Sequence, residues 1–139
     1  LRRNWSDSEM ETIRPTLWLQ ARAKKQQERE RLRLEVLDQV DAALKELAKR
    51  YAWTEVYLFG SLLQPGKFDL DSDVDLAVAG LPKQDLYRLT ADLMRLLNRN
   101  ADLVVLEDFL FAETIMRKGL LWEPEKKLSS SAVNSTCRS

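Results

Sequence analysis

The chain has 139 residues, of which 45% are hydrophobic and 32% are charged, a composition typical of one folded domain. The 22 basic and 22 acidic residues cancel, which argues against binding to long nucleic acid or to an anionic membrane. The sequence contains no histidine, and this excludes imidazole bases and histidine-bound metals. Any catalysis therefore has to come from carboxylates.

A single cysteine, Cys137, excludes a disulfide framework within the chain and favours a reducing compartment. No apolar run approaches the roughly 20 residues that a membrane-spanning helix needs. We therefore expect a cytoplasmic protein that does not insert into a membrane.

A long helix is the first predicted element. Residues 1–14 are predicted to form an arm, and Pro15 suits the first turn of a helix. Between Pro15 and about Trp53, apolar residues recur every three or four positions, as one buried helical face requires. Residues 20–31 are nearly all charged or amide. This half of the helix either projects into solvent or meets a partner, which could be a second copy of the chain.

The rest of the chain alternates strands and helices, which predicts an α/β (α+β) fold. The predicted strands are Thr54–Phe59, Val74–Val78 and Leu103–Leu106, and the predicted helices begin at Leu81-Pro82 and span about Phe109–Lys118. Gly119 is predicted to end the last helix. We assign residues 1–31 to the arm and charged helix extension, residues 32–125 to the folded domain and residues 126–139 to a disordered tail.

Three aspartates are the candidate catalytic residues. Asp73 and Asp75 project from the same face of the second predicted strand, because side chains alternate along a strand. Asp102 begins the third strand and joins them if the two strands are neighbours. Clustered carboxylates repel one another unless a cation balances them, and oxygen ligands of this kind suit Mg²⁺.

Gly60 and Ser61 follow the first predicted strand and form a candidate phosphate site. A glycine lets the backbone approach a phosphate closely, and the hydroxyl and N–H groups that follow can donate to its oxygens. Facing the aspartates, this turn would suit a nucleoside triphosphate that bridges two metal ions. Either fragment alone also occurs as a surface pair of acids or an ordinary turn, but their combination in this order favours a function.

Together, Gly60-Ser61, Ser72-Asp73-Val74-Asp75-Leu76 and Asp102 resemble the motifs of the minimal nucleotidyltransferases of the DNA polymerase beta superfamily. The resemblance covers about residues 32–122. It implies a mixed β-sheet flanked by helices, two Mg²⁺ ions held by the three aspartates, and the triphosphate of ATP held at Gly60-Ser61. The spacer before Asp73 is one residue longer than is usual in the family. Leu62 stands where a basic residue often follows, and Lys67 is predicted to supply that charge.

Many such stand-alone domains resemble antitoxins whose toxin is an all-helical HEPN ribonuclease, neutralised when AMP is transferred to a toxin tyrosine. The resemblance therefore implies an antitoxin of a type VII toxin-antitoxin pair. Two alternatives stay open: an antitoxin that acts by surface contact through Leu17–Leu19, and a nucleotidyltransferase that acts on a small molecule.

Overall fold

The structure is a computed structural model, and it describes residues 7–126 and residue 128. Its helices and strands in chain order are α1 (Asp7–Leu47), β1 (Glu55–Phe59), β2 (Val74–Ala79), α2 (Leu86–Leu97), β3 (Ala101–Val105), α3 (Ala112–Lys118) and β4 (Leu120–Leu121). Short 3₁₀ helices cover Gly60–Leu63, Lys83–Asp85 and Leu106–Asp108. The α+β class and the long N-terminal helix are confirmed.

The four strands form one sheet in the order β3-β2-β1-β4. β1 pairs antiparallel with β2 and with β4, whereas β2 and β3 are parallel. The sheet is therefore mixed, as the family resemblance implies. The parallel pair is joined by α2, because two parallel neighbours need a crossover connection.

One face of the sheet carries the main core beneath α1 and α2. Alternate strand residues point into it because side chains alternate across a strand, and the aliphatic stripe of α1 covers them. The buried members from the strands are Val56, Leu58, Val74, Leu76, Val78 and Leu103, and those from α1 are Val36, Leu37, Val40, Ala43, Leu44 and Leu47. The predicted apolar face of the long helix is thus confirmed.

The opposite face of the sheet carries a smaller cluster beneath α3. Its buried members are Tyr57, Ala77, Ala79, Leu106 and Ile115. α3 has only seven residues, so the helix that covers this face is short. Because side chains alternate between the two faces along a strand, Asp73, Asp75 and Asp102 project from this second face.

The bounds of α1 differ from the predicted ones. The helix begins at Asp7 rather than at Pro15, and it ends at Leu47 rather than near Trp53. A proline inside a helix removes one hydrogen bond, but Glu9, Met10 and Glu11 are good helix formers and continue the helix before it. Beyond Leu47, the Tyr51 hydroxyl donates to Asp92 on α2 at 2.6 Å, and this contact turns the chain back onto the domain.

Three further predictions are refined. β3 begins at Ala101 rather than Leu103, because its parallel pairing with β2 starts at Val74. α3 begins at Ala112 rather than at about Phe109, and a separate 3₁₀ turn covers Leu106–Asp108. Leu128 is buried in the main core, so the predicted disordered tail contributes at least this apolar side chain; the other residues beyond 126 lie outside the described part.

Within the residues that the structure describes, no helix combines the length and the apolar character needed to cross a membrane.

Candidate active site

Parallel pairing of β2 and β3 brings the three candidate aspartates to one region of the second sheet face. Asp75 lies directly beside Asp102 in the register of the two strands. Asp73 precedes Asp75 by two residues and therefore projects to the same side. Asp75 is half-buried, whereas Asp73 and Asp102 are exposed. The condition on which the prediction depended, that the second and third strands are neighbours, is met.

The electrostatics of Asp75 reflect this crowding. Burial raises the pKa of the Asp75 carboxyl, and the negative charges of Asp102 and Asp73 raise it further. In the described part of the chain, none of the three carboxylates forms a salt bridge. The cluster thus carries negative charge that no neighbouring lysine or arginine neutralises, and a bound cation would relieve the repulsion.

The donor set fits Mg²⁺ by its chemistry, since all three side chains offer carboxylate oxygens. Among residues 7–126 and 128, no three acidic side chains stand close enough to hold an ion as they are. Asp73 and Asp102 are both exposed. The assignment of the three as metal ligands therefore stays a prediction.

Gly60 lies against Asp75, and Ser61 follows it in the chain. The register pairs Phe59 with Asp75, and the chain then turns into the Gly60–Leu63 3₁₀ helix. Gly60 has a φ of 79°, and a Cβ atom on it would overlap the Asp75 carboxylate. Both features favour glycine at this position. The predicted phosphate turn and the predicted carboxylates are thus neighbours in space.

Leu62, which replaces the basic residue usual in the family, and Lys67, which is predicted to supply that charge, lie apart from the Gly60–Asp75 contact. Leu62 is completely buried in the main core. Lys67 is exposed, and the carbonyl of the preceding Gly66 accepts a 3.5 Å hydrogen bond from Arg29 of α1. α1 covers the sheet face opposite to the aspartates, so the backbone beside Lys67 is directed to that side. A role of Lys67 in phosphate binding stays a prediction.

Sequence reasoning missed Arg33, a residue of α1 that supports the Gly60–Leu63 turn through a hydrogen bond. Its side chain is 1% exposed, and its guanidinium donates to both Glu30 oxygens, at 3.0 and 2.6 Å, and to the Leu62 carbonyl at 3.2 Å. The signal was available, since Arg33 interrupts the aliphatic stripe of α1 three residues before Val36. A charged residue at such a position needs buried partners.

Arg99 is the second residue that the prediction missed. Its Nη1 donates to the carbonyls of Asp69, Leu70 and Ser72 at 3.2, 3.1 and 2.8 Å. The guanidinium carbon also lies 5.0 Å from the ring centroid of the buried Phe68. The loop that leads into Asp73 is thereby fastened to the residue three positions before Asp102. Nothing in the local sequence pattern distinguishes this arginine from a solvated one.

Two open grooves flank the aspartates. The first, which we call the Arg99 groove, has a volume of about 530 Å³ and is lined by Asp71, Asp73, Met94, Asn98 and Arg99, among others. The second, which we call the Lys118 groove, has a volume of about 370 Å³ and is lined by Phe59, Gly60, Leu63, Gln64, Thr114 and Lys118, among others. Sites of this size accept small molecules such as nucleotides.

A scan of protein-family models matches residues 42–126 to the family described as polymerase beta, nucleotidyltransferase. Comparisons with curated proteins and with solved structures give no significant match. The matched segment includes all four strands and every candidate site residue, and it covers more than half of the 139 residues. The chain therefore belongs to the polymerase beta nucleotidyltransferase family.

Proposed function

We propose that this nucleotidyltransferase transfers AMP from ATP to an acceptor hydroxyl, and that the acceptor is a tyrosine of a cognate HEPN-type toxin. The observation that carries the transfer is the contact of Gly60 with Asp75 beside Asp102 in the strand register. A phosphate-binding turn and a carboxylate pair with no neutralising partner then lie side by side. This combination suits a substrate that is itself a polyanion accompanied by metal ions.

In this proposal the acceptor oxygen forms a bond to the α-phosphorus of ATP, the bond from that phosphorus to the pyrophosphate oxygen breaks, and pyrophosphate leaves. Asp102 accepts the hydroxyl proton, and the backbone and hydroxyl of Gly60 and Ser61 hold phosphate oxygens. Mg²⁺ ions held by Asp73, Asp75 and Asp102 would supply charge neutralisation of the phosphates and of the attacking oxygen.

The test of the transfer uses ATP labelled at the α-phosphate together with Mg²⁺ and the co-expressed toxin. Wild-type protein is expected to label the toxin, with mass increments of one AMP, and the Asp73→Asn/Asp75→Asn double variant is expected to leave it unlabelled. Asp38→Asn is the matched control, because Asp38 is an exposed carboxylate on α1, across the sheet from the aspartates. Labelling that persists in the double variant would contradict the proposal.

The choice of a protein acceptor is supported by the exposed half of α1. Residues 16–29 are all exposed, and they include Leu17, Trp18 and Leu19 at 59%, 59% and 57% exposure. Large apolar side chains on a projecting helix suit contact with another protein. We identify the HEPN class from the family resemblance, and a neighbouring gene for a small helical protein with an Arg-x4–6-His motif would support it.

The same exposed patch favours a second candidate function, an antitoxin that inhibits by binding alone. The two functions differ in their dependence on the aspartates. If the Asp73→Asn/Asp75→Asn variant still binds the toxin and still neutralises it in cells, inhibition by contact is sufficient. If the variant binds the toxin without neutralising it, AMP transfer is required.

A further inference from the structure

The Lys118 groove lies between the Gly60–Leu63 3₁₀ helix and the second half of α3. Its walls are mainly apolar, with Phe59, Leu63 and Ile115, and three polar side chains line it: Gln64, Thr114 and Lys118. Mostly apolar walls with a few polar groups are the usual lining of a small-molecule site. A nucleoside is a suitable occupant, since its base is flat and apolar on both faces and its ribose bears hydroxyls.

The groove is continuous with the candidate active site. Gly60 lines it, and the Asp75 carboxylate lies against the Cα of Gly60. The groove therefore begins where phosphates are expected to sit in the proposed function. A nucleotide with its phosphates at Gly60 and its nucleoside in the groove would have the phosphates beside Asp75.

Charge distinguishes the two lysines that could meet those phosphates. Lys118 is exposed at the end of α3, lines the groove, and forms no salt bridge in the described part of the chain. Lys67 is not among the residues that line the groove, and the backbone beside it contacts α1 on the opposite sheet face. Among the described residues, Lys118 is therefore a lysine that lines the groove beside Gly60 and has no salt-bridge partner.

We propose that the Lys118 groove binds the nucleotide, with its nucleoside against the apolar walls and with the Lys118 ammonium paired to a phosphate held at Gly60. This inference rests on the proposed function and adds to it the binding groove and the phosphate-binding cation. It also accounts for Leu62: because that side chain is buried in the core, the positive charge comes from α3 instead. Lysine is a common partner of phosphate oxygens.

The test measures the binding of Mg-ATP and of magnesium pyrophosphate by calorimetry to the full-length protein. Lys118→Met is expected to weaken both ligands by about tenfold or more, which is the usual effect of losing a hydrogen bond to a charged group. Arg117→Met is the matched control, because it removes the same charge from the adjacent position of α3, whose side chain is not part of the groove lining. Lys118→Arg is expected to restore most of the affinity.

A second variant tests the nucleoside part of the proposal. Thr114→Tyr fills the groove and is expected to weaken Mg-ATP by about tenfold while leaving magnesium pyrophosphate unchanged, since pyrophosphate has no nucleoside. Thr114 is exposed, so the larger side chain does not disturb the core. Equal ATP affinity in Thr114→Tyr and wild type would remove the nucleoside from this groove.

The outcomes separate the two proposals. Wild-type protein that binds no Mg-ATP overturns the proposed function and this inference together. Wild-type protein that binds Mg-ATP and transfers AMP, with Lys118→Met equal to it, overturns this inference alone. A loss confined to Lys67→Met would then assign the phosphate-binding charge to Lys67.

Discussion

At the scale of single residues, Gly60 combines an unusual backbone conformation with a position beside a candidate catalytic carboxylate. The residue occupies the left-handed region of φ, and its missing side chain leaves room for the Asp75 carboxylate. The atom that a Cβ would displace is the end of a flexible side chain, so the fold can adjust by rotating Asp75. Such a rotation would move the carboxylate out of its present position between Gly60 and Asp102.

We predict that Gly60→Ala damages activity much more than stability. The strained φ costs about 1 to 2 kcal/mol of unfolding free energy, whereas displacement of Asp75 lowers the transfer rate by about 100-fold. Gly66→Ala is the matched control, because Gly66 has a φ of 77° and nothing within 4 Å of its Cβ position. Denaturant unfolding and the AMP-transfer assay measure the two effects. Similar activity losses in both variants would contradict this view of Gly60.

The raised pKa of Asp75 makes a prediction about stability and pH. Burial and the charges of Asp102 and Asp73 raise the folded-state pKa above the unfolded value, so the folded state holds this proton more tightly. The contribution of Asp75 therefore becomes unfavourable as the pH rises through its folded pKa. In metal-free buffer, Asp75→Asn is expected to raise Tm at neutral pH, and the gain should disappear below the ordinary aspartate pKa. A Tm that falls at neutral pH would contradict the crowding of these carboxylates.

At the scale of secondary-structure elements, Arg99 connects the two segments that present the aspartates. Its Nη1 donates to three loop carbonyls between residues 69 and 72. Asn100, the residue after Arg99, accepts a hydrogen bond from the Val74 N–H through its carbonyl at 3.1 Å. Arg99 and this backbone hydrogen bond thus add to the β2–β3 pairing in fixing the position of Asp73 relative to Asp102.

We predict that Arg99→Met releases this loop. The expected loss of unfolding free energy is about 1 kcal/mol, because three partly exposed loop carbonyls lose a charged donor. The Mg²⁺ concentration needed for half-maximal transfer should also rise several-fold, which a loss of stability alone would not produce. Arg88→Met on the exposed side of α2 is the control, and an Mg²⁺ requirement equal to the wild-type one would exclude a positioning role for Arg99.

The order of strands and helices was predictable from periodicity, because each element carries its own pattern. The aliphatic stripe from Val36 to Leu47 and the alternation in β2 both correspond to buried faces in the structure. Contacts between residues far apart along the chain could not be predicted from the sequence. Arg33 donates to the Leu62 carbonyl and Arg99 to loop carbonyls such as that of Ser72, all far along the chain, and carbonyls have no sequence signature. The two-residue β4 is likewise defined only by its pairing with β1.

At the scale of the whole molecule, the chain divides into a domain and a projecting helix. The exposed residues 16–29 would extend about 20 Å along the axis of α1, at 1.5 Å per residue. They carry four basic side chains and one acidic one, whereas residues 66–108 carry five basic and nine acidic. The family match begins at residue 42, so this projecting half of α1 lies outside it.

We predict that deletion of residues 1–28 leaves the domain folded. The deleted side chains that the structure describes are all exposed, so the free energy of unfolding should change by less than about 1 kcal/mol. Mg-ATP affinity should be unchanged, while transfer of AMP to the toxin should fall at least about tenfold. Unchanged transfer to the toxin would exclude residues 1–28 as its docking surface, and a change from dimer to monomer on deletion would indicate that these residues pair two copies of the chain.

A crystal structure of the protein with Mn²⁺ and a non-hydrolysable ATP analogue, with the ions located by anomalous scattering, tests most directly whether the three aspartates hold the metal ions. We predict metal peaks about 2.1 Å from carboxylate oxygens of Asp73, Asp75 and Asp102, with the phosphates at Gly60 and Ser61. Metal and nucleotide bound elsewhere, or Asp102 remote from both ions, would contradict it.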